Sequence, residues 1–270
     1  MEKPEILDEA LERARSLAKE VGHVIRDEAR RMAVQYKGDG SEVTNADVAA
    51  ERVLRERLQG WYPHAQILGE EFGGEPRAVS GWQWILDPID GTTSFSIGSP
   101  AYGTLIGLLV DGEPALGVIH FPATGESYFA RSGGGTWFED GDRPVRVRVS
   151  GVKTLGEAFG STCGIQKSDI VEPNETAIVR LKPIIARARK FRIVGDCLQH
   201  ALVARGRVDL AIDATMSPWD NAALIPVLAE AGAALGTLRG SRDFVFGGSL
   251  ISAASPELLE QVLGVLRGDA

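Results

Sequence analysis

The chain has 270 residues, 44% of them hydrophobic and 24% charged, the balance of an ordinary globular protein with room for one large domain or two compact halves. A formal net charge of −8 offers no basic surplus to track a nucleic-acid backbone, yet leaves room for small phosphorylated ligands held through divalent cations. No apolar run reaches the roughly 18 residues of a membrane span, Met1-Glu2-Lys3-Pro4 lacks a secretory pattern, and Cys163 and Cys197 fit no metal or redox spacing, so free thiols in a reducing cytoplasm are expected.

Leu7, Ala10, Leu11, Ala14, Leu17, Ala18, Val21, Val24 and Ile25 recur at helical spacing with charges opposite, which predicts an amphipathic helix within residues 5–32. His23 has no partner at ligand spacing and is expected at the surface or core edge. Lys37-Gly38-Asp39-Gly40-Ser41 is a loop by composition. Thr44 and Asp47 form a capping pair for a helix over residues 46–58. Asp47 therefore reads first as a first-turn residue favoured by the helix dipole, and as a participant in chemistry only if the fold carries it to an acidic site. Ile67-Leu68-Gly69 is a short strand running into Glu70-Glu71, and Trp84-Ile85-Leu86 is a buried strand ending at Asp87.

Segments 102–110, 115–121 and 126–130, separated by turns at 111–114 and 122–125, predict an antiparallel meander. His120 ends an apolar strand and is expected to be a satisfied core-edge residue. Gly133-Gly134-Gly135 precedes no Lys-Ser/Thr and no helix, so it is not read as a nucleotide loop. Beyond about residue 146, strand-like segments (146–149, 158–162, 191–194, 208–212) alternate with helical ones (176–188, 197–204, 221–231, 256–266). The expected organisation is an α+β half over residues 1–145 and an α/β half over residues 146–270.

The most informative stretch is Asp87-Pro88-Ile89-Asp90-Gly91-Thr92-Thr93. Two carboxylates at a strand end converge on one point, while Gly91, Thr92 and Thr93 offer N–H groups and hydroxyls suited to an anion. Acids beside an anion cradle repel the anion unless cations lie between. Asp-Pro-x-Asp-Gly is also plain turn chemistry, and both readings stand on these residues alone. Glu70, at a neighbouring strand end, is a plausible third ligand. Asp220 opens a helix after Trp219 and Asp196 opens another after Gly195; each has an N-cap reading beside a functional one. Asp213 ends a strand upstream of Asp220.

Together these residues resemble the inositol monophosphatase superfamily, over segments 37–47, 68–71, 84–95, 195–206 and 219–232. The pairing of Asp-Pro-Ile-Asp-Gly-Thr-Thr with a later Trp-Asp-x-Ala-Ala carries the resemblance. It implies a layered αβαβα sandwich and a Mg²⁺-dependent, lithium-sensitive phosphomonoesterase with two or three ions per site. Carried over by position, Glu70, Asp87, Asp90, Asp220 and the Ile89 carbonyl would hold the metals, with Asp87 bridging two. Glu70 and Thr92, joined by Asp47 if it reaches the site, would orient and activate the attacking water. Gly91, Thr92 and Thr93 would hold the phosphate. Residues 95–100, 103–108 and Gly195-Asp196-Cys197 resemble the histidinol-phosphate phosphatase branch, in which a carboxylate at Asp196 would meet the substrate ammonium. Asp213 matches an acidic position that contacts substrate hydroxyls in inositol phosphatases. Ile97, where a basic residue or histidine is frequent, and Leu224, where glycine is frequent, depart from the pattern. Hydrolysis of L-histidinol phosphate in histidine biosynthesis is thus the expected function, with inositol 1-phosphate as the alternative substrate. A catalytically silent binding protein is the reading from another class, opposed by the complete set of acids. A cytoplasmic homodimer follows from the resemblance alone.

Overall fold

A computed structural model describes residues 4–38, 40–173 and 176–269. Helix α1 (Pro4–Ala29) buries the stripe read from its spacing, from Leu7 to Ile25. A short antiparallel ribbon, β1 (Val34–Tyr36) with β2 (Glu42–Thr44), leads into α2 (Asn45–Trp61). Then come β3 (Gln66–Gly69), β4 (Trp82–Asp90), the short helix α3 (Thr92–Ser96), β5 (Gly103–Val110), β6 (Glu113–His120), β7 (Ser127–Arg131), β8 (Gly135–Glu139) and β9 (Val145–Val147). These strands form one seven-stranded sheet in chain order, parallel between β3 and β4 and antiparallel elsewhere. The second half contains β10 (Phe159–Thr162), α4 (Leu181–Arg187), β11 (Lys190–Ile193), α5 (Asp196–Ala204), β12 (Leu210–Met216), α6 (Pro218–Glu230), β13 (Ala234–Gly236), β14 (Gly248–Ala253) and α7 (Pro256–Arg267). Its five-stranded sheet runs β11-β10-β12-β14-β13, with β10 parallel to both neighbours and β14 antiparallel to both of its own.

Five layers result, because each sheet has two apolar faces to cover. Helices α1 and α2 cover one face of the large sheet, α5 and α6 lie between the sheets, and α4 and α7 cover the outer face of the small one. Among the described residues no helix is long and apolar enough to cross a membrane.

Several elements depart from expectation. Strand β4 does not end at Asp87; it continues to Asp90 with its register broken between those residues. Pro88 has no N–H to give the ladder, and its carbonyl is taken by Thr104 Oγ1 at 2.9 Å. The segment read as a strand over 146–149 pairs with β8 as β9, closing the meander instead of opening the second sheet. The helix expected over 176–188 forms only as Leu181–Arg187, because Pro183 is tolerated in a first turn but not deeper. Of the three glycines, Gly133 and Gly134 lie in the turn between β7 and β8, and Gly135 opens β8. Strands β13 and β14, absent from the sequence reading, make the small sheet mixed.

Helix α6 approaches the large sheet backbone to backbone. A Cβ on Gly107 would lie 2.7 Å from the Ala222 carbonyl carbon, and one on Gly117 only 2.1 Å from the Ala223 oxygen. This contact fixes the start of α6 relative to the end of β4. Gly117→Ala should therefore destabilise the fold by about 1–3 kcal/mol or more. Urea titration should show a lower midpoint at unchanged slope; an unchanged midpoint would mean the helix is free to retreat.

His120 is buried at 3% exposure, with Nδ1 2.9 Å from Ser127 Oγ, as a satisfied core residue. Burial, with Lys19 and Arg26 nearby, pushes its pKa down to about 4. Because the folded value lies below the unfolded one, its contribution is complete above about pH 6.5 and is lost as pH falls toward 4. That contribution is about 3 kcal/mol. Replacement by Gln should flatten the acid limb of a stability–pH curve by about this amount; an unaltered limb would exclude His120 as its source.

Candidate active site

The broken end of β4 meets the starts of α3, α5 and α6. There Asp87, Asp90 and Asp220 offer carboxylate oxygens within 4.8 Å of one another. At that separation each pair of charges repels by about 3 kcal/mol at an effective dielectric of about 20. Asp87 is 2% exposed, and its Oδ1 has no hydrogen-bond partner among the described residues. Asp90 Oδ2 accepts from the Cys197 N–H at 2.5 Å, and Asp220 Oδ2 from the Ser217 N–H at 2.6 Å. Burial, then Glu70 and Asp90, push the Asp87 carboxyl well above its ordinary value; burial, then Asp196 and Asp220, do the same to Asp90. Burial also raises Asp220, to about 7, against the Ser217 hydrogen bond. Hard oxygen donors with an orphaned, buried carboxylate oxygen among them fit a divalent cation of the Mg²⁺ class.

A cleft of about 540 Å³ opens over this cluster, and Glu70, Ile89, Gly91, Thr92, Thr93 and Asp196 line it with the three aspartates. Gly91 has φ +88°, the left-handed turn its lack of a side chain permits. A Cβ there would also meet Asp196 Oδ2 at 2.6 Å. Glu70 is raised by burial, partly offset by Lys37, whose Nζ lies 2.9 Å from Glu70 and 2.8 Å from Glu71. Although burial opposes its charge, Glu71 and Glu70 hold the Lys37 ammonium above its ordinary value.

Asp47 is both a helix cap and a neighbour of Thr92. Its Oδ2 caps α2 by accepting from the Thr44 N–H at 2.8 Å, while its Oδ1 lies 3.4 Å from Thr92 Oγ1. It sits fully buried behind the cleft wall, its carboxyl raised by burial. The Thr92 hydroxyl is also 3.2 Å from the Ile89 carbonyl. Asp220 is the third residue of α6, completing a capping box whose N-cap is Ser217, so the cap and the cluster share one carboxylate. The N-cap reading of Asp196 does not hold: Gly195 occupies that position, and the Asp196 carboxylate accepts from Ser94 Oγ at 2.7 Å and Cys163 Sγ at 3.3 Å. Asp213 is not brought to the cleft wall. Its Oδ2 is engaged by Gln199 Nε2 at 2.7 Å and His200 Nε2 at 3.0 Å, facing α5.

Sequence reasoning did not single out Lys37, Ser94 or Cys163. A lone lysine in a glycine-rich loop and a cysteine after a short strand carry no spacing signal, although Ser94 directly follows the Thr-Thr pair.

The profile of the inositol monophosphatase family matches residues 6–268. The chain belongs to this family. It is a family of metal-dependent phosphatases, in keeping with the acidic cluster at the end of β4. The protein is similar to the histidinol-phosphatase of Chlorobaculum parvum, at 38% identity over 90% of this chain and 91% of the relative. It is also similar to the histidinol-phosphatase of Mycobacterium tuberculosis, at 40% identity over 80% and 82%. Among solved structures, the IMPase of Thermotoga maritima superposes with a TM-score of 0.83 at 30% identity, covering 96% of this chain and 97% of that one. The layered fold of this family member is that of the Thermotoga protein.

Like-charge crowding makes a direct prediction. In metal-free buffer Asp87→Asn should melt above the wild type by roughly 2–4 °C for each kcal/mol of repulsion removed. Added Mg²⁺ should raise the wild-type Tm and leave the variant nearly unmoved. Differential scanning fluorimetry in EDTA and in Mg²⁺ reads both; a wild type indifferent to Mg²⁺ would remove the cation from the site.

Proposed function

We propose that this family member is a Mg²⁺-dependent phosphomonoesterase that hydrolyses L-histidinol phosphate to L-histidinol and phosphate. The observation that carries the reading is one cleft in which a cluster of crowded acids faces a further carboxylate, Asp196, that no lysine or arginine engages among the described residues. The two histidinol-phosphatase relatives support the same substrate.

Glu70, Asp87, Asp90, Asp220 and the Ile89 carbonyl would hold Mg²⁺, which when bound supplies the charge that admits a phosphate dianion, acidifies water and steadies a leaving alkoxide. The Thr92 hydroxyl has its hydrogen directed to the Ile89 carbonyl or to Asp47, so its lone pairs are free to accept from a water and orient it. Glu70, which lines the cleft beside the cluster, takes the proton as the water oxygen bonds to phosphorus. The N–H groups of Gly91, Thr92 and Thr93, at the start of α3, hold the phosphate oxygens as the ester P–O bond breaks. The alkoxide leaves toward Asp196 and is protonated from solvent. There the carboxylate meets the substrate ammonium in a charge-assisted hydrogen bond.

Inositol 1-phosphate is the second reading, favoured by the similarity to the Thermotoga IMPase. Inositol carries no cation, so Asp196 separates the two. Phosphate release from both esters, with Mg²⁺ and with EDTA, should be metal-dependent and favour L-histidinol phosphate. Asp196→Asn, which keeps the shape and tolerates a positive φ, should cost the cationic ester about 10- to 100-fold more than inositol phosphate. Equal losses would remove ammonium recognition, and no metal-dependent release from either ester would remove the phosphatase reading.

A further inference from the structure

Asp196 is held in an unusual way. It lies at φ +45°, directly after Gly195 at φ +96°, so the chain bends twice at the entry to α5. Aspartate tolerates that region better than most residues, but neighbours must still fix the bend. Cys163, just past the end of β10, accepts from the Asp196 N–H at 3.4 Å and donates its S–H to Oδ1 at 3.3 Å. Ser94, in α3 beside the phosphate-holding turn, donates to Oδ2 at 2.7 Å. Each carboxylate oxygen thus has one neutral donor from a different element. Among the described residues no cationic side chain donates to either oxygen, and Asp196 lines the cleft.

The carboxylate also lies hard against the turn that would hold phosphate, since a Cβ on Gly91 would approach Oδ2 to 2.6 Å. A cation recognised there must sit very near the phosphate ester itself. We infer that Ser94 and Cys163 are positioning residues that aim Asp196, and that the three select phosphate esters bearing an ammonium on the carbon next to the ester carbon. This rests on the role of Asp196 proposed above and extends it to a class, the 2-aminoalkyl phosphates.

The test compares kcat and KM for L-histidinol phosphate and inositol 1-phosphate in the wild type, Ser94→Ala, Ser94→Thr, Cys163→Ala, Cys163→Ser, Asp196→Asn and the Ser94→Ala/Asp196→Asn double variant. Ser94→Ala should lower kcat/KM for the aminoalkyl ester about tenfold, mostly through KM, and at least about fivefold more than for the inositol ester. Ser94→Thr and Cys163→Ser, which keep a donor, should recover the preference, while Cys163→Ala should weaken it less than Ser94→Ala because a thiol is the poorer donor. In the Asp196→Asn background Ser94→Ala should change the ratio by less than about twofold. Equal losses on both esters, no recovery with threonine, or full additivity with Asp196→Asn would overturn the positioning role. If Asp196→Asn abolishes the preference and Ser94→Ala does not, only the positioning inference fails; if Asp196→Asn keeps it, the reading of Asp196 fails as well.

Discussion

The cleft depends on negative charge concentrated beyond what the surrounding side chains neutralise. Asp87, Asp90 and Asp220 crowd within 4.8 Å, and the Lys37 ammonium is committed to Glu70 and Glu71. Such an arrangement is tolerable only if the groups are protonated or share cations, and burial pushes them toward the first while the oxygen donor set invites the second. What holds the acids together against repulsion is packing elsewhere: α6 seated on Gly107 and Gly117, and β4 anchored between β3 and β5. The interior of the fold supplies the free energy, and the strand end is where it is spent.

Pro88 converts that constraint into geometry. A continuous strand would alternate Asp87 and Asp90 onto opposite faces, since residues an odd number apart diverge. The register break lets both point into one cleft. Gly91 then turns the chain so that the residues suited to phosphate follow immediately, and Cys197 ties Asp90 to the start of α5 with a backbone N–H. The clustered acids and the Asp196 carboxylate are thereby linked through adjacent residues, Cys197 and Asp196.

Much of this was legible in the sequence. The stripe of α1 and the meander of β5 to β7 follow from period, and the acids at Asp87, Asp90 and Asp220 stand out because turn chemistry alone would not place them in two separate motifs. Less legible were features set by tertiary pairing. Strand β9 looks like its neighbours in the second half yet pairs with β8, and the three-residue β13 is a strand only through β14, which itself pairs with β12. Asp213 reads like the other acids but is drawn to Gln199 and His200 by the packing of α5 on β12. Ser94 and Cys163 gain meaning only when α3 and the end of β10 meet over Asp196.

Asp47 and Asp220 occupy the same local position, the third residue of a capping box, on two different helices. Each is needed by the helix it closes whether or not any reaction takes place. A descendant of this chain freed from catalysis would still be selected to keep both, because folding alone defends them. Asp87 and Glu70 serve no helix end, and Asp87 sits buried with an oxygen that nothing in the described chain satisfies. The folding reason to keep Asp47 and Asp220 therefore does not extend to Asp87, and loss of the acidic cluster would be read there and not at the two caps.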